Sequence, residues 1–121
     1  MLLIITALGE GAFGLLVLVY PPIAAQALFG LEIDGLSVII CRIAGIALIG
    51  LAVACWPGRV PSRQQLYGML TYSILVTLYL VRIGIRGAPV GPFLWPAVIV
   101  HVVLIVLLIV AGVKAQKVSA T

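Results

Sequence analysis

The sequence predicts an all-α protein: an integral membrane four-helix bundle, both termini cytoplasmic, with a short interfacial helix after helix one. Three observations carry that reading. The 121 residues are 64% hydrophobic and 8% charged, against an ordinary share of roughly 45–50% apolar and about 25% charged, and the mean hydropathy is +1.37. Four apolar stretches, 2–20, 36–56, 66–86 and 94–113, each have the length of about 20 residues that crosses the hydrocarbon core. Prolines and glycines punctuate the gaps between them. Spans and links together account for residues 1–121, so a single transmembrane domain is expected, with no soluble one.

Helix one runs from Leu2 to Tyr20 and is stopped by Pro21-Pro22. Proline lacks the amide hydrogen and disfavours helical geometry in the residue before it. The stretch has no basic leader and exceeds the 7–15-residue apolar core of a signal peptide, so it reads as a retained helix. Ala7, Glu10, Gly11 and Gly14 share one face, and small residues let backbones approach closely in lipid. Residues 22–29 are too short to span; their apolar character predicts an interfacial helix ended by Gly30. Glu32 and Asp34 follow in a polar turn closed by Gly35, where acids favour the positive end of the next helix.

Helix two, Leu36 to Trp56, carries Arg42 and a Gly50/Ala54 small-residue pair, and ends at Pro57-Gly58. Cys41 and Cys55 lie on it about 21 Å apart along the axis, far too distant for a disulfide. They read as small apolar residues. Helix three, Leu66 to Arg86, is the most polar span. Gln65, Gly68, Tyr72, Leu75, Tyr79, Arg82 and Arg86 recur at spacings of three and four, which predicts one inward-facing seam. Helix four, Leu94 to Val113, is almost wholly Val, Leu and Ile, interrupted by His101 and closed by Lys114 and Lys117; the last residues are expected to fray.

The basic residues are topological rather than nucleic-acid binding, since they form no run or aromatic-interleaved patch. Four crossings put the termini and the helix two–three link on one side. That side holds Arg59, Arg63, Lys114 and Lys117 and no acid, while the other holds Glu32 and Asp34 with Arg82 and Arg86. The positive-inside rule places the first side in the cytoplasm, giving an N-in/C-in multi-pass protein.

A carboxylate at the middle of a span costs about 2.5–3.5 kcal/mol on insertion scales, so Glu10 must be neutral, paired or in water. Placing each polar residue by helical rise, Glu10 falls at the midplane. Arg42 lies about 6 Å outward, Tyr79 about 4 Å, Arg82 about 9 Å and His101 about 3 Å. The candidate site is therefore a polar cluster in the outer half, Glu10, Arg42, Tyr79, Arg82 and His101, with Arg42 as partner of Glu10. Tyr72, Arg86, Glu32 and Asp34 are secondary members. Two readings stand. In one the cluster is a pocket for a small neutral or anionic ligand, since arginines outnumber the carboxylate. In the other a Glu10–Arg42 bridge locks helix pairing without chemistry, while the tyrosine seam is packing and Arg82 and Arg86 snorkel to the surface.

The stretches 11–21, GAFGLLVLVYP, and 42–51, RIAGIALIGL, resemble the small four-helix bacterial membrane proteins of the DoxX-like type. That resemblance implies a four-helix bundle in a bacterial cytoplasmic (inner) membrane and transfers no catalytic residue. Small multidrug transporters are similar in helix count and in a single carboxylate on helix one, like Glu10. Here Arg42 and Arg82 oppose a cationic drug, and aromatic-rich partner helices are missing.

No nucleophile–base pair or metal-ligand spacing is present, so no catalytic residue, metal or cofactor is expected; one histidine cannot supply bis-histidine haem ligation to a quinone-handling subunit. The expected function is non-enzymatic: an accessory or structural subunit in membrane lipid, alone as a small homo-oligomer or within a larger complex. The alternative is a small-molecule transporter or ligand-binding bundle centred on Glu10 and Arg42.

Overall fold

The computed structural model describes residues 1–57, 62–86 and 90–119, with residues 115–119 described in backbone only. The chain forms five helices: α1 (Leu2–Val19), α2 (Pro21–Phe29), α3 (Gly35–Ala54), α4 (Arg63–Ile85) and α5 (Leu94–Ser119). No strand occurs among the described residues. All but α2 are long and apolar enough to cross a membrane, and the chain is a multi-pass membrane protein. Arg59 lies outside the described residues, as does the side chain of Lys117.

Local chemistry sets most of the helix ends. The chain turns at Tyr20, whose amide still bonds the Leu16 carbonyl, and α2 restarts with Pro21 in its first position, where the missing amide hydrogen is not needed. Gly30 ends α2 in the left-handed conformation, φ 63°, which glycine adopts without a Cβ penalty. Two ends differ from expectation by three residues or more. Helix α4 starts at Arg63 rather than Leu66 because Ser62 and Gln65 form a reciprocal capping box: Gln65 N donates to Ser62 Oγ, and Ser62 N to Gln65 Oε1. The Ser-x-x-Gln spacing is the sequence signature of that device. Gln65 Nε2 also donates to the Trp56 carbonyl at 2.8 Å, tying the start of α4 to the end of α3. Helix α5 continues past Val113 to Ser119, since nothing between 113 and 119 breaks a helix. Pro96 sits in its first turn, where an amide would have no partner.

The bundle is built from two antiparallel helix pairs, α1 with α3 and α4 with α5. Glycines bring α1 and α3 together. A Cβ on Gly14 would lie 2.8 Å from Leu48 Cβ, and one on Gly45 would lie 2.6 Å from the Gly14 carbonyl oxygen. Such backbone proximity is how helices attract one another in lipid, where burial of apolar surface adds no drive. In the second pair, Gly84 makes room for the Trp95 ring and Gly112 for Leu66.

The two pairs meet through three joints. Leu3, Cys55, Met69 and Leu108 form a buried cluster near one end. Near the other, Phe29 of α2 packs against Leu80, Leu94 and Val98. Between them lies the polar contact described below. The second joint is reinforced by backbone, because Gly91 N donates to the Leu28 carbonyl and Phe93 N to that of Ala27. A Cβ on Gly91 would run into the Ala27 carbonyl. Gly91→Ala is therefore expected to detach this loop from α2 and destabilise by about 1–3 kcal/mol, read as a lowered unfolding midpoint in lipid or mild detergent. An unchanged midpoint would refute the clasp.

Both cysteines are free, Cys55 buried and Cys41 partly so.

Candidate functional site: a carboxylate clasped between the helix pairs

Glu10 sits at the middle of α1 and is only 7% exposed. The buried positions of α1 are Leu3, Thr6, Ala7, Glu10, Gly14 and Val17. Gly14, joined by Gly11, meets α3, while Leu3 and Glu10 meet the other pair. Glu10 thus projects away from its own hairpin toward α4 and α5.

Both carboxylate oxygens are met there by side chains. Tyr72 Oη donates to Glu10 Oε2 at 2.9 Å. His101 Nε2 lies 3.4 Å from Glu10 Oε1, within ion-pair range but outside hydrogen-bond alignment. The other ring nitrogen, Nδ1, donates to the Ala97 carbonyl at 2.8 Å. A carbonyl only accepts, so that bond orients the ring and puts a hydrogen on Nδ1. The Tyr72 and His101 rings are tilted at 56° with centroids 6.3 Å apart. One residue beyond Tyr72, Ser73 is fully buried and its Oγ has no hydrogen-bond partner among the described residues. Thr77 and Thr6 hydroxyls bond back to carbonyls of their own helices.

The partner of Glu10 is thus His101 with Tyr72, where the sequence reading placed Arg42. Arg42 is exposed on α3, and among the described residues it forms no ion pair. Tyr79 is 63% exposed, and Arg82 and Arg86 are exposed along the same side of α4. The inward face of α4 is instead Met69, Ser73, Thr77 and Leu80, with Tyr72 at its edge. The expected seam is rotated by about one residue, or 100°, past Tyr72. Glu32 and Asp34 are exposed; Asp34 is the N-cap residue of α3, but its side chain makes no capping bond. The cluster therefore sits at mid-depth on α1 and α4 and lacks the arginines.

The capping box would have found it. Starting α4 at Arg63 moves its midpoint to about residue 74, which brings Tyr72 level with Glu10 and carries Tyr79 away. Small polar residues at Ser73 and Thr77 also mark a packed face more reliably in lipid than large amphipathic ones.

A separate apolar groove of about 310 Å³ runs along α1 and α3 between Leu8, Gly11, Ala12, Ile49, Val53 and Trp56. It carries no ionisable group. Among the described residues no three His, Cys, Asp or Glu side chains converge on a metal position. No protein-family model matches the chain, and neither curated proteins nor solved structures provide a match.

Proposed function

We propose that this chain is a non-enzymatic accessory or structural subunit of the membrane, a pinned helical bundle that assembles with copies of itself through α3. One observation carries the reading: the Glu10 carboxylate is faced on both oxygens by side chains of its own chain, Tyr72 at 2.9 Å and His101 at 3.4 Å. A carboxylate that served a small-molecule ligand would be left open to it. Glu10 instead joins the α1–α3 pair to the α4–α5 pair, the lock rather than the pocket.

Assembly is supported by α3, of which only Gly45 and Ala52 are buried. Gly50 and Ala54 are exposed, and a Cβ on Gly50 would meet nothing within 4 Å. The small-residue pair is thus unused within the chain and suits a close helix–helix contact between copies. Gly50→Leu is expected to leave the unfolding midpoint unchanged while lowering the oligomeric mass in lipid nanodiscs. A wild-type protein that is monomeric in native-lipid particles would sink the assembly reading.

In this reading both termini face the cytoplasm of a bacterial inner membrane, in keeping with the basic Arg63 and Lys114 at that end. Helix α2 lies at the opposite interface with its exposed Ile23 toward lipid. Arg82 and Arg86 reach the phosphates of that same face.

A further inference from the structure

We propose that Glu10 and His101 form an intramembrane proton-binding site, holding one proton between Glu10 Oε1 and His101 Nε2 while Tyr72 fixes the carboxylate. The proposal rests on the geometry of the cluster and is independent of how the bundle assembles.

The hydrogen inventory leads there. Nδ1 of His101 is committed to the Ala97 carbonyl and must carry a hydrogen. Tyr72 supplies its only hydrogen to Oε2. What remains is Oε1 and the buried Nε2, 3.4 Å apart, with no other partner for Nε2 among the described residues. Without a further proton these two atoms would present lone pairs to each other, beside an ionised carboxylate in a medium of low dielectric. Ionised groups so placed are stable only when paired.

Among the described residues no other group is positioned to neutralise the carboxylate. Among the titratable residues of the packed elements, α1 offers only Glu10 and α2 none. On α4 Tyr72 is already used, and Arg63, Tyr67, Tyr79, Arg82 and Arg86 are exposed, as is Lys114 on α5. On α3 Arg42 is exposed and Cys41 is uncharged as a thiol. One proton is therefore what the pair lacks.

The proton has two resting positions with equal charge balance. Moving it from Nε2 to Oε1 breaks an N–H bond, forms an O–H bond, and converts imidazolium and carboxylate into imidazole and carboxylic acid. Because Glu10 belongs to one helix pair and His101 to the other, occupancy of the site holds the pairs together. Release of the proton leaves lone pair against lone pair across the joint.

The test is nuclear magnetic resonance of the full chain in lipid nanodiscs, with 15N-labelled histidine and 13C-labelled glutamate carboxyls. His101 is the single histidine, and Glu32, exposed, serves as the reference carboxylate. Near neutral pH the expected result is one proton on the pair, seen as imidazolium with carboxylate or as neutral imidazole with carboxylic acid. On raising the pH, the Glu10 and His101 signals should change together with a common midpoint. An ionised Glu10 beside a neutral imidazole at neutral pH overturns the proposal, as do two protons on the pair. Midpoints separated by more than a tenfold change in proton concentration also overturn it. In Glu10→Gln the imidazole should revert to the single Nδ1–H form at neutral pH, and retention of both ring hydrogens there counts against sharing. Should that variant not fold, the wild-type titration decides alone.

Discussion

Gly45→Leu is expected to unfasten α1 from α3 and destabilise the protein more than any other single change at a glycine on a membrane span. The obstacles to a Cβ at this position are backbone atoms, the Gly14 carbonyl oxygen at 2.6 Å and Leu18 N at 2.7 Å. Neither can rotate away as a side-chain tip would, so the helices must separate along their length. Overpacking of a fitted interface costs about 1–3 kcal/mol and sometimes more, and here the upper end applies. Denaturant titration in mixed micelles reads the loss directly, with Gly9→Ala as its control. Gly9 has nothing within 4 Å of a built Cβ, and alanine there should be neutral or stabilising by up to about 1 kcal/mol through helix propensity. Equal losses in the two variants would show that helix propensity, not close approach, governs these glycines.

The second large effect belongs to the clasped carboxylate. His101→Ala should destabilise by about 3–5 kcal/mol, because removing one partner of a buried pair leaves the other uncompensated. Glu10→Ala should act similarly through the stranded imidazole and the freed Tyr72 hydroxyl. The double variant should then lose less than the two single losses together, with a coupling of about 0.5–3 kcal/mol. Arg42→Ala, made at an exposed site without an ion pair among the described residues, should fall within about 0.5 kcal/mol of wild type. Additive losses at Glu10 and His101, or strong coupling between Glu10 and Arg42, would return the lock to the arginine.

The contrast between those two candidate partners shows what the sequence could and could not disclose. Arg42 was the attractive choice because charge complementarity is visible in a string of letters. The pairing of Glu10 with His101 depends on which way three helices face. In a water-soluble bundle an apolar stripe announces that direction. In a membrane the outward face is as apolar as the inward one, and α5, nearly all Val, Leu and Ile around His101, carries almost no directional signal. A shift of one residue along α4 is a rotation of about 100°. It exchanges the buried Ser73 and Thr77 for the exposed Tyr79 and Arg82.

What the sequence by itself determined is what local chemistry controls. Long apolar stretches specified four helices able to cross a membrane, and Pro21-Pro22 and Gly30 bounded α2 to within a residue. The Ser62–Gln65 capping box is legible in the letters too, yet a reading from apolar length passes over it and starts α4 three residues late. The anomaly at Glu10 was equally plain, since a carboxylate within a span is costly wherever the helix points. Only the tertiary structure decided how that cost is met. The pairing of α1 with α3 through Gly14 and Gly45 turns Glu10 toward the other hairpin. The matching rotations of α4 and α5 bring Tyr72 and His101 to its two oxygens. Rotation about a helix axis is settled by packing between helices, and no single apolar helix encodes it.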